Sequence, residues 1–127
     1  MTDVVLDASA MLALLRREPG AAHVAAFAGA LRVSSVNLAE VAGKLSDFGL
    51  DDDAIERAIG DLSLTVFAFD RGMALASGKL RRTTRFAGLS LGDRACLALA
   101  KTLGAPVLTA DRAWARLKIG VEVRLIR

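Results

Sequence analysis

Short apolar runs alternate along the chain with longer segments in which apolar residues recur every three or four positions. Runs of the first kind predict buried strands, and segments of the second kind predict helices that bury one face. Strands that alternate with helices predict an α/β fold, a parallel sheet with helices on both faces. The predicted strands cover residues 3–6, 31–35, 64–69, 106–109 and 121–126.

The predicted helices fill most of the sequence between these strands. Pro19 and Gly20 separate the first two helices, and Gly49 ends the third. No repeat, linker or low-complexity segment divides the chain, so we expect one domain over residues 1–127. The predicted helices cover residues 9–17, 21–30, 38–48, 51–62, 70–80, 92–103 and 112–118, and residues 81–90 are predicted to form a loop.

Acidic residues follow the predicted strands closely. Asp7 comes directly after the first strand, and Asp111 stands just past the fourth. Glu40 lies past the second strand, and Asp93 lies at the start of the helix over residues 92–103. Ligands of a parallel α/β sheet bind at the carboxyl ends of its strands. We therefore expect these acids to lie at that edge of the sheet.

Each acid also has an ordinary structural explanation. Two of them can cap the helix that follows, and the other two have the spacing of a capping box. The caps would be Asp7 and Asp111, and the boxes would be Asn37-x-x-Glu40 and Ser90-x-x-Asp93. Neutral residues that can cap stand close to all four acids, so the carboxylates are predicted to be available for another role. The neutral residues are Ser9, Asn37, Ser90 and Thr109.

Clustered carboxylates offer hard oxygen ligands, which suit Mg²⁺ or Mn²⁺. An ion of this kind lowers the pKa of water and stabilises charge that develops on a phosphate. Other catalytic groups are scarce, because His23 is the only histidine and Cys96 the only cysteine. The sequence therefore excludes a mechanism with two histidines, an internal disulfide and a Cys/His zinc site.

The cations are mostly arginine, and the net charge is +3. This balance permits a nucleic-acid partner without proving one. Arg94 and Arg112 each follow an acid directly, where they either orient a phosphate or pair with a neighbouring side chain. A cluster before Asp93 is either a solvated helix end or a contact for a phosphate backbone. Its members are Lys79, Arg81, Arg82 and Arg85.

Four segments carry a family resemblance: VLDASAMLALL, SSVNLAEV, GLSLGDRACLALA and VLTADRAW. The chain is similar over essentially its whole length to PIN-domain ribonucleases, specifically to the VapC-type toxins of bacterial toxin–antitoxin pairs. The resemblance implies a single PIN-like domain, with a central parallel sheet flanked by helices, and an acidic pocket that binds Mg²⁺ or Mn²⁺. By position, the pocket acids are Asp7, Glu40, Asp93 and Asp111, of which Asp7 and Asp93 bind the metal. Ser9 and Thr109 are polar neighbours of the pocket, and Arg81, Arg82 and Arg112 are candidates for substrate support.

The resemblance also implies an activity and partners. It implies hydrolysis of single-stranded regions of RNA, a homodimer, and a cognate antitoxin that covers the pocket. The apolar stretch over residues 11–31 predicts either surface that such a partner covers or a well-filled core together with a homodimer. The sequence shows neither a membrane-spanning run nor a secretory signal, so we expect a cytoplasmic protein without a membrane partner.

Two other classes of function remain open at this point. A phospho-accepting receiver domain has a similar length and also binds Mg²⁺ at the carboxyl edge of its sheet. Asp70 follows the third strand where that family has its acceptor, but Asp7 has no adjacent acid and no lysine follows the strand before Asp111. A non-catalytic module that binds RNA or a protein would not need the full set of acids.

Overall fold

The structure is a computed structural model that describes residues 2–127. It confirms the predicted α/β fold with one central parallel sheet. The strands are β1 (Val4–Leu6), β2 (Leu31–Ser34), β3 (Thr65–Phe67), β4 (Val107–Thr109) and β5 (Val123–Leu125). Their order across the sheet is β3-β2-β1-β4-β5, and every neighbouring pair is parallel.

Helices connect the strands and cover the sheet. They are α1 (Ala8–Arg16), α2 (Ala21–Ala25), α3 (Ser35–Asp47), α4 (Asp52–Gly60), α5 (Arg71–Lys79), α6 (Arg81–Thr84) and α7 (Leu91–Leu103). Two 3₁₀ helices follow α6 and β4, over Arg85–Ala87 and Arg112–Arg116. Within residues 2–127, no helix is both long and apolar enough to cross a membrane.

Strand β1 lies at the centre of the sheet and is buried on both faces. Its side chains alternate between two hydrophobic clusters, as the period of a strand requires. Val4 and Leu6 pack into the cluster that includes Met11 of α1, and Val5 packs into the cluster that includes Leu97 of α7. The residue that follows this strand therefore lies at the middle of the sheet's carboxyl edge.

The boundaries of two helices differ from those predicted. Helix α3 begins at Ser35, because the Ser34 hydroxyl accepts a hydrogen bond from the Val36 amide at 3.2 Å and caps it. Asn37 is therefore inside the helix, and the predicted capping box with Glu40 is wrong. Helix α2 ends at Ala25. The amide of Phe27 donates to the carbonyl of Val24, three residues back, where an α-helix would use the carbonyl four residues back.

The predicted loop over residues 81–90 is also wrong in its first part, which is helical. The hydroxyl of Thr84 donates to the Leu80 carbonyl at 2.7 Å, and that of Thr83 donates to the same carbonyl at 3.2 Å. Threonine has a low intrinsic helix propensity, so the sequence favoured a loop here. The turn forms nevertheless, because Leu80 keeps a right-handed helical backbone and continues the chain from α5 into α6.

The apolar stretch over residues 11–31 is largely used by the protein's own core. Met11, Ala13 and Val24 are buried, and Leu12, Leu15 and Phe27 pack partly against them. In the part of the chain that the structure describes, the large hydrophobic residues that are exposed all lie elsewhere. The large side chains of this stretch thus favour the alternative of a well-filled core, and whether a partner covers the exposed remainder stays a prediction.

Gly20 provides a test of how the chain's end closes the core. Its φ is +98°, and a Cβ there would stand 2.6 Å from the Ile126 carbonyl oxygen. Gly29 has a similar φ of +89° with nothing within 4 Å of the same position. Gly29→Ala should cost about 1–2 kcal/mol from backbone strain alone, and Gly20→Ala should cost clearly more. Urea denaturation measures both, and equal losses would contradict the packing described here.

Candidate functional site

Asp7 is the buried centre of the site, with 5% of its surface exposed. It caps α1, since its Oδ1 accepts hydrogen bonds from the Ala10 amide at 2.9 Å and the Ser9 hydroxyl at 2.7 Å. Its Oδ2 accepts a hydrogen bond from the Thr109 hydroxyl at 2.5 Å. The carboxylate therefore joins the ends of β1 and β4 to the start of α1.

The charge on Asp7 is costly despite these hydrogen bonds. Burial raises the pKa of the carboxyl, and the nearby charge of Asp93 raises it further. The hydrogen bonds from Thr109, Ser9 and Ala10 lower the pKa without cancelling the effect of burial. In the protein without metal, Asp7 thus keeps its proton to a higher pH than an exposed aspartate does.

Ser9 and Thr109 lie beside Asp7, where the sequence predicted polar neighbours of the pocket. Each hydroxyl donates to Asp7 and accepts from a backbone amide that follows β4. Ser9 Oγ accepts from the Ala110 amide at 2.9 Å, and Thr109 Oγ1 accepts from the Asp111 amide at 3.0 Å. These two bridges fix the position of Asp111 relative to Asp7.

Glu40 is held by Asn37, a residue for which the sequence predicted only a capping role. Asn37 is buried, and its Nδ2 donates to Glu40 Oε1 at 2.9 Å and to the Gly92 carbonyl at 3.0 Å. A Cβ on Gly92 would stand 2.2 Å from Glu40 Oε1, so only glycine leaves room for this carboxylate. The sequence did contain a signal for this close approach of Glu40 to α7, namely a glycine in the first turn of the helix, directly before Asp93.

Asp93 and Asp111 each engage one carboxylate oxygen in a cap. Asp93 Oδ2 accepts from the Ser90 amide at 3.1 Å, and the Ser90 hydroxyl accepts from the Asp93 amide at 3.1 Å, which confirms this capping box. Asp111 Oδ1 accepts from the Ala113 amide at 3.0 Å. The expectation that neutral residues cap in place of the acids is wrong for Asp7 and Asp111.

Capping nevertheless leaves acceptor capacity at the site. Within residues 2–127, Asp93 Oδ1, Asp111 Oδ2 and Glu40 Oε2 accept no hydrogen bond from the protein. No lysine, arginine or histidine in the described chain forms an ion pair with any of the four acids. The site therefore carries negative charge that the protein itself does not neutralise.

Three of the acids act on the buried thiol of Cys96, which lies one turn after Asp93. Burial raises the pKa of this thiol strongly, and the charges of Asp7, Asp93 and Glu40 raise it further. The Glu40 carboxylate lies against Gly92, which directly precedes Asp93. These three acids therefore share the carboxyl edge of the sheet.

The donor atoms of the site fit a divalent cation of the Mg²⁺ type. They are carboxylate oxygens without a counter-ion, and the buried Oδ1 of Asn37 beside them has no hydrogen-bond partner in the described structure. Over residues 2–127, no three acidic, histidine or cysteine side chains form a ready-made metal site. Mg²⁺ commonly binds through one or two carboxylates and keeps several waters, so Asp7 and Asp93 would suffice to hold it.

The predicted basic residues lie outside this cluster of acids. Arg81 and Arg82 are exposed and line a surface groove of about 680 Å³. Arg112 is exposed at the start of the second 3₁₀ helix, next to Asp111. Arg94 points to α5, where its Nη1 donates to the Ser77 carbonyl at 3.2 Å.

Asp70 lies apart from the acids, which disfavours a receiver domain. Its side chain caps α5 by accepting from the Met73 amide at 2.9 Å. It follows β3 at the edge of the sheet, and β2 separates β3 from β1. Two strand spacings amount to roughly 10 Å, so Asp70 does not lie beside Asp7, as the acceptor of a receiver domain would.

This combination of fold and site agrees with a comparison of the sequence with known families. The sequence model of the PIN domain matches residues 4–120. The chain therefore belongs to the PIN-domain family, which confirms the resemblance predicted from its motifs. Among curated protein sequences, none matches the chain significantly.

Solved structures with the same fold include components of toxin–antitoxin complexes. A toxin–antitoxin complex from Klebsiella pneumoniae aligns with a TM-score of 0.79 and 18% identity over 98% of both chains. VapBC2 from Rickettsia felis, bound to a promoter DNA fragment, aligns at 0.77 and 16% over 98% of both chains. VapC20 from Mycobacterium tuberculosis, a toxin that cleaves the sarcin–ricin loop, aligns at 0.71 and 13% over 94% of this chain and 99% of its own.

The raised pKa of Asp7 generates a prediction for the metal-free protein. Because the folded state holds this proton more tightly than the unfolded state, the ionised carboxylate destabilises the fold above its folded-state pKa. Asp7→Asn should therefore increase the free energy of unfolding near pH 7. The increase should shrink as the pH falls through the raised pKa. Urea denaturation in EDTA between about pH 4 and pH 7 measures this difference, and a difference independent of pH would contradict it.

Proposed function

We propose that the protein is a metal-dependent endoribonuclease and the toxin of a toxin–antitoxin pair. The observation that carries the proposal is the buried carboxylate of Asp7, which has no counter-ion in the described structure and feels the charge of Asp93, while Glu40 lies against the residue before Asp93. Such an arrangement costs folding stability, and a site for a divalent cation accounts for that cost. The cleavage of RNA by the structural neighbour VapC20 supports the choice of substrate.

The proposed reaction is hydrolysis of a phosphodiester bond. Water attacks the phosphorus in line, the bond to the 3′ oxygen breaks, and the products carry a 5′ phosphate and a 3′ hydroxyl. When bound, Mg²⁺ or Mn²⁺ lowers the pKa of water and stabilises charge on the phosphate and the leaving oxygen. This chemistry needs no ribose 2′ hydroxyl, so the same site is chemically competent to cut DNA.

The protein's own groups hold and orient the reacting parts. Asp7 and Asp93 bind the ion, with help from Glu40 and Asp111. The hydroxyls of Ser9 and Thr109 fix the orientation of Asp7 through the hydrogen bonds described above, and the Asn37 amide does the same for Glu40. Arg112, which is exposed beside Asp111, is the proposed contact for a phosphate of the substrate.

The proposed partners are a cognate antitoxin and a second copy of the chain. Structural neighbours occur in toxin–antitoxin complexes, which supports an antitoxin in the same cytoplasmic compartment. An apolar groove of about 570 Å³ between α3 and α4 has Leu38, Ile55 and Ile59 in its walls and is a suitable seat for an apolar antitoxin helix. An arginine from that antitoxin would pair bidentately with the exposed acids of the site.

Asp7→Asn and Asp93→Asn should each abolish cleavage of RNA in the presence of Mg²⁺. Asparagine keeps the shape and the capping oxygen but removes the charge that binds the ion. The loss should exceed the roughly 10- to 100-fold typical for removal of a partner that only orients a ligand. The measurement is the initial rate of cleavage of a labelled single-stranded RNA by the purified proteins.

Asp70→Asn is the matched control for these variants. It changes an exposed helix cap in the same chemical way, and asparagine caps a helix about as well as aspartate. We expect its cleavage rate to be unchanged. An unchanged cleavage rate in either site variant, or an equal loss of rate in the Asp70→Asn control, would contradict the assignment of the catalytic acids.

Gly92→Ala should reduce the rate of cleavage by about 10- to 100-fold, because small displacements of catalytic groups are costly. The new methyl group would displace the Glu40 carboxylate and break its hydrogen bond with Asn37. The clash involves the flexible end of a side chain, so the stability should change by no more than about 1 kcal/mol. Gly43→Ala, on the same helix as Glu40 with open space at its Cβ, should leave the rate unaffected.

A further inference from the structure

The segment between α5 and α7 concentrates positive charge in a way that the proposed catalytic site does not require. Residues 78–89, here called the basic segment, contain four cations and no acid. The whole chain has a net charge of +3, so the remaining 115 residues together carry 3 − 4 = −1. The basic character of the protein therefore resides in this segment alone.

All four cations of the basic segment are exposed and available. In the part of the chain that the structure describes, none forms an ion pair or donates a side-chain hydrogen bond. Some arginines elsewhere are paired, as Arg32 is with Asp3 and Arg124 is with Glu122. Four unpaired cations on one surface repel one another, so an anionic partner is the natural complement of the segment.

The basic segment lines two adjoining grooves, and it directly precedes α7 in the chain. Arg81 and Arg85 line both of them, and the volumes are about 680 Å³ and about 360 Å³. The second groove reaches Leu89, which directly precedes Ser90, the cap of α7. The grooves are therefore continuous along the chain with the helix turn that carries Asp93.

Phe86 belongs to the same basic segment and has 71% of its surface exposed. It lies in the first 3₁₀ helix directly after Arg85. Phe48 offers a contrast, because it is 46% exposed and the Arg16 guanidinium lies 3.7 Å from its ring centroid. An exposed aromatic ring in the same short segment as unpaired cations is the combination that single-stranded nucleic acids use, with stacking for a base and charge for its phosphates.

We propose that the basic segment binds the single strand that flanks the cleaved bond. One base stacks on Phe86, and the neighbouring phosphates contact Arg81, Arg82 and Arg85. The assignment rests on the proposed nuclease function, because it takes the strand to be the substrate. A duplex would present phosphates to the arginines but no free base to the ring. A second copy of the chain fits this surface poorly, since the contact would bring two sets of four cations together.

The test is the affinity for a fluorescein-labelled single-stranded RNA of 12 nucleotides, followed by fluorescence anisotropy in EDTA. Phe86→Ala should weaken binding by about 5- to 100-fold, the usual effect of removing one stacking residue. Its dependence on salt should be unchanged, because the side chain carries no charge. Phe86→Leu should lose as much as Phe86→Ala, and Phe86→Trp should retain binding. Phe48→Ala is the matched control and should bind like the unmodified protein.

A charge variant separates the two contributions. Arg81→Gln combined with Arg85→Gln should reduce the slope of log affinity against log salt by about 1.4 units, since each phosphate contact to a single strand contributes about 0.7. Both sets of changes lie on exposed side chains, and thermal unfolding checks that the variants fold.

Several results would overturn the proposal. They are an undetectable affinity of the unmodified protein, an unchanged affinity of Phe86→Ala, and full retention of binding by Phe86→Leu. A smaller oligomer of Phe86→Ala with unchanged RNA affinity would instead assign the ring to a contact between copies. Because binding is measured without metal, it is independent of catalysis. If the unmodified protein binds as expected but cuts no RNA in Mg²⁺, the proposed function fails separately.

Discussion

The hydrogen bonds of the buried Asp7 carboxylate are the constraint on which the rest of the site depends. A buried carboxylate is tolerated only when its oxygens are hydrogen-bonded, and here two hydroxyls and an amide satisfy that condition. The same bonds fasten β1 to β4 and start α1. The central strands therefore cannot shift relative to one another without exposing a charge to an apolar interior. The relative position of these strands at the site is thus a consequence of the burial of Asp7 and of its hydrogen bonds.

Capping and ligand binding are compatible in this site because a carboxylate has two oxygens. The capping explanation and the catalytic explanation of the acids compete in the sequence, but in the structure each cap uses one oxygen of Asp93 or Asp111. A helix N-terminus also favours negative charge through its dipole. The start of a helix thus partly offsets the repulsion within the cluster, which explains why acids follow the strands so regularly.

The sequence predicted the sheet, its helices and the positions of the acids, because these depend on patterns that recur locally. The apolar run from Val4 to Leu6 predicts a buried strand irrespective of the residues that contact it in the fold. The role of Asn37 was not predictable in the same way, because its hydrogen bond to the Gly92 carbonyl joins residues that are 55 positions apart. The helical turn at Arg81–Thr84 was missed for the opposite reason, since the local propensity of its threonines is poor and the turn depends on its continuation from α5 through Leu80.

The distribution of charge connects the proposed catalytic site with the basic segment that is proposed to bind the strand. The acids of the site repel a phosphate, while the basic segment attracts one, and Leu89 and Ser90 link the two regions. A strand held by the cations is thus kept near carboxylates that it would otherwise avoid. Screening limits this attraction to roughly 8 Å in physiological salt, so the cations act only on a strand that already lies along the grooves. Neutralisation of the acids by a divalent ion would then remove the remaining barrier, which makes binding of the ion and approach of the phosphate mutually favourable.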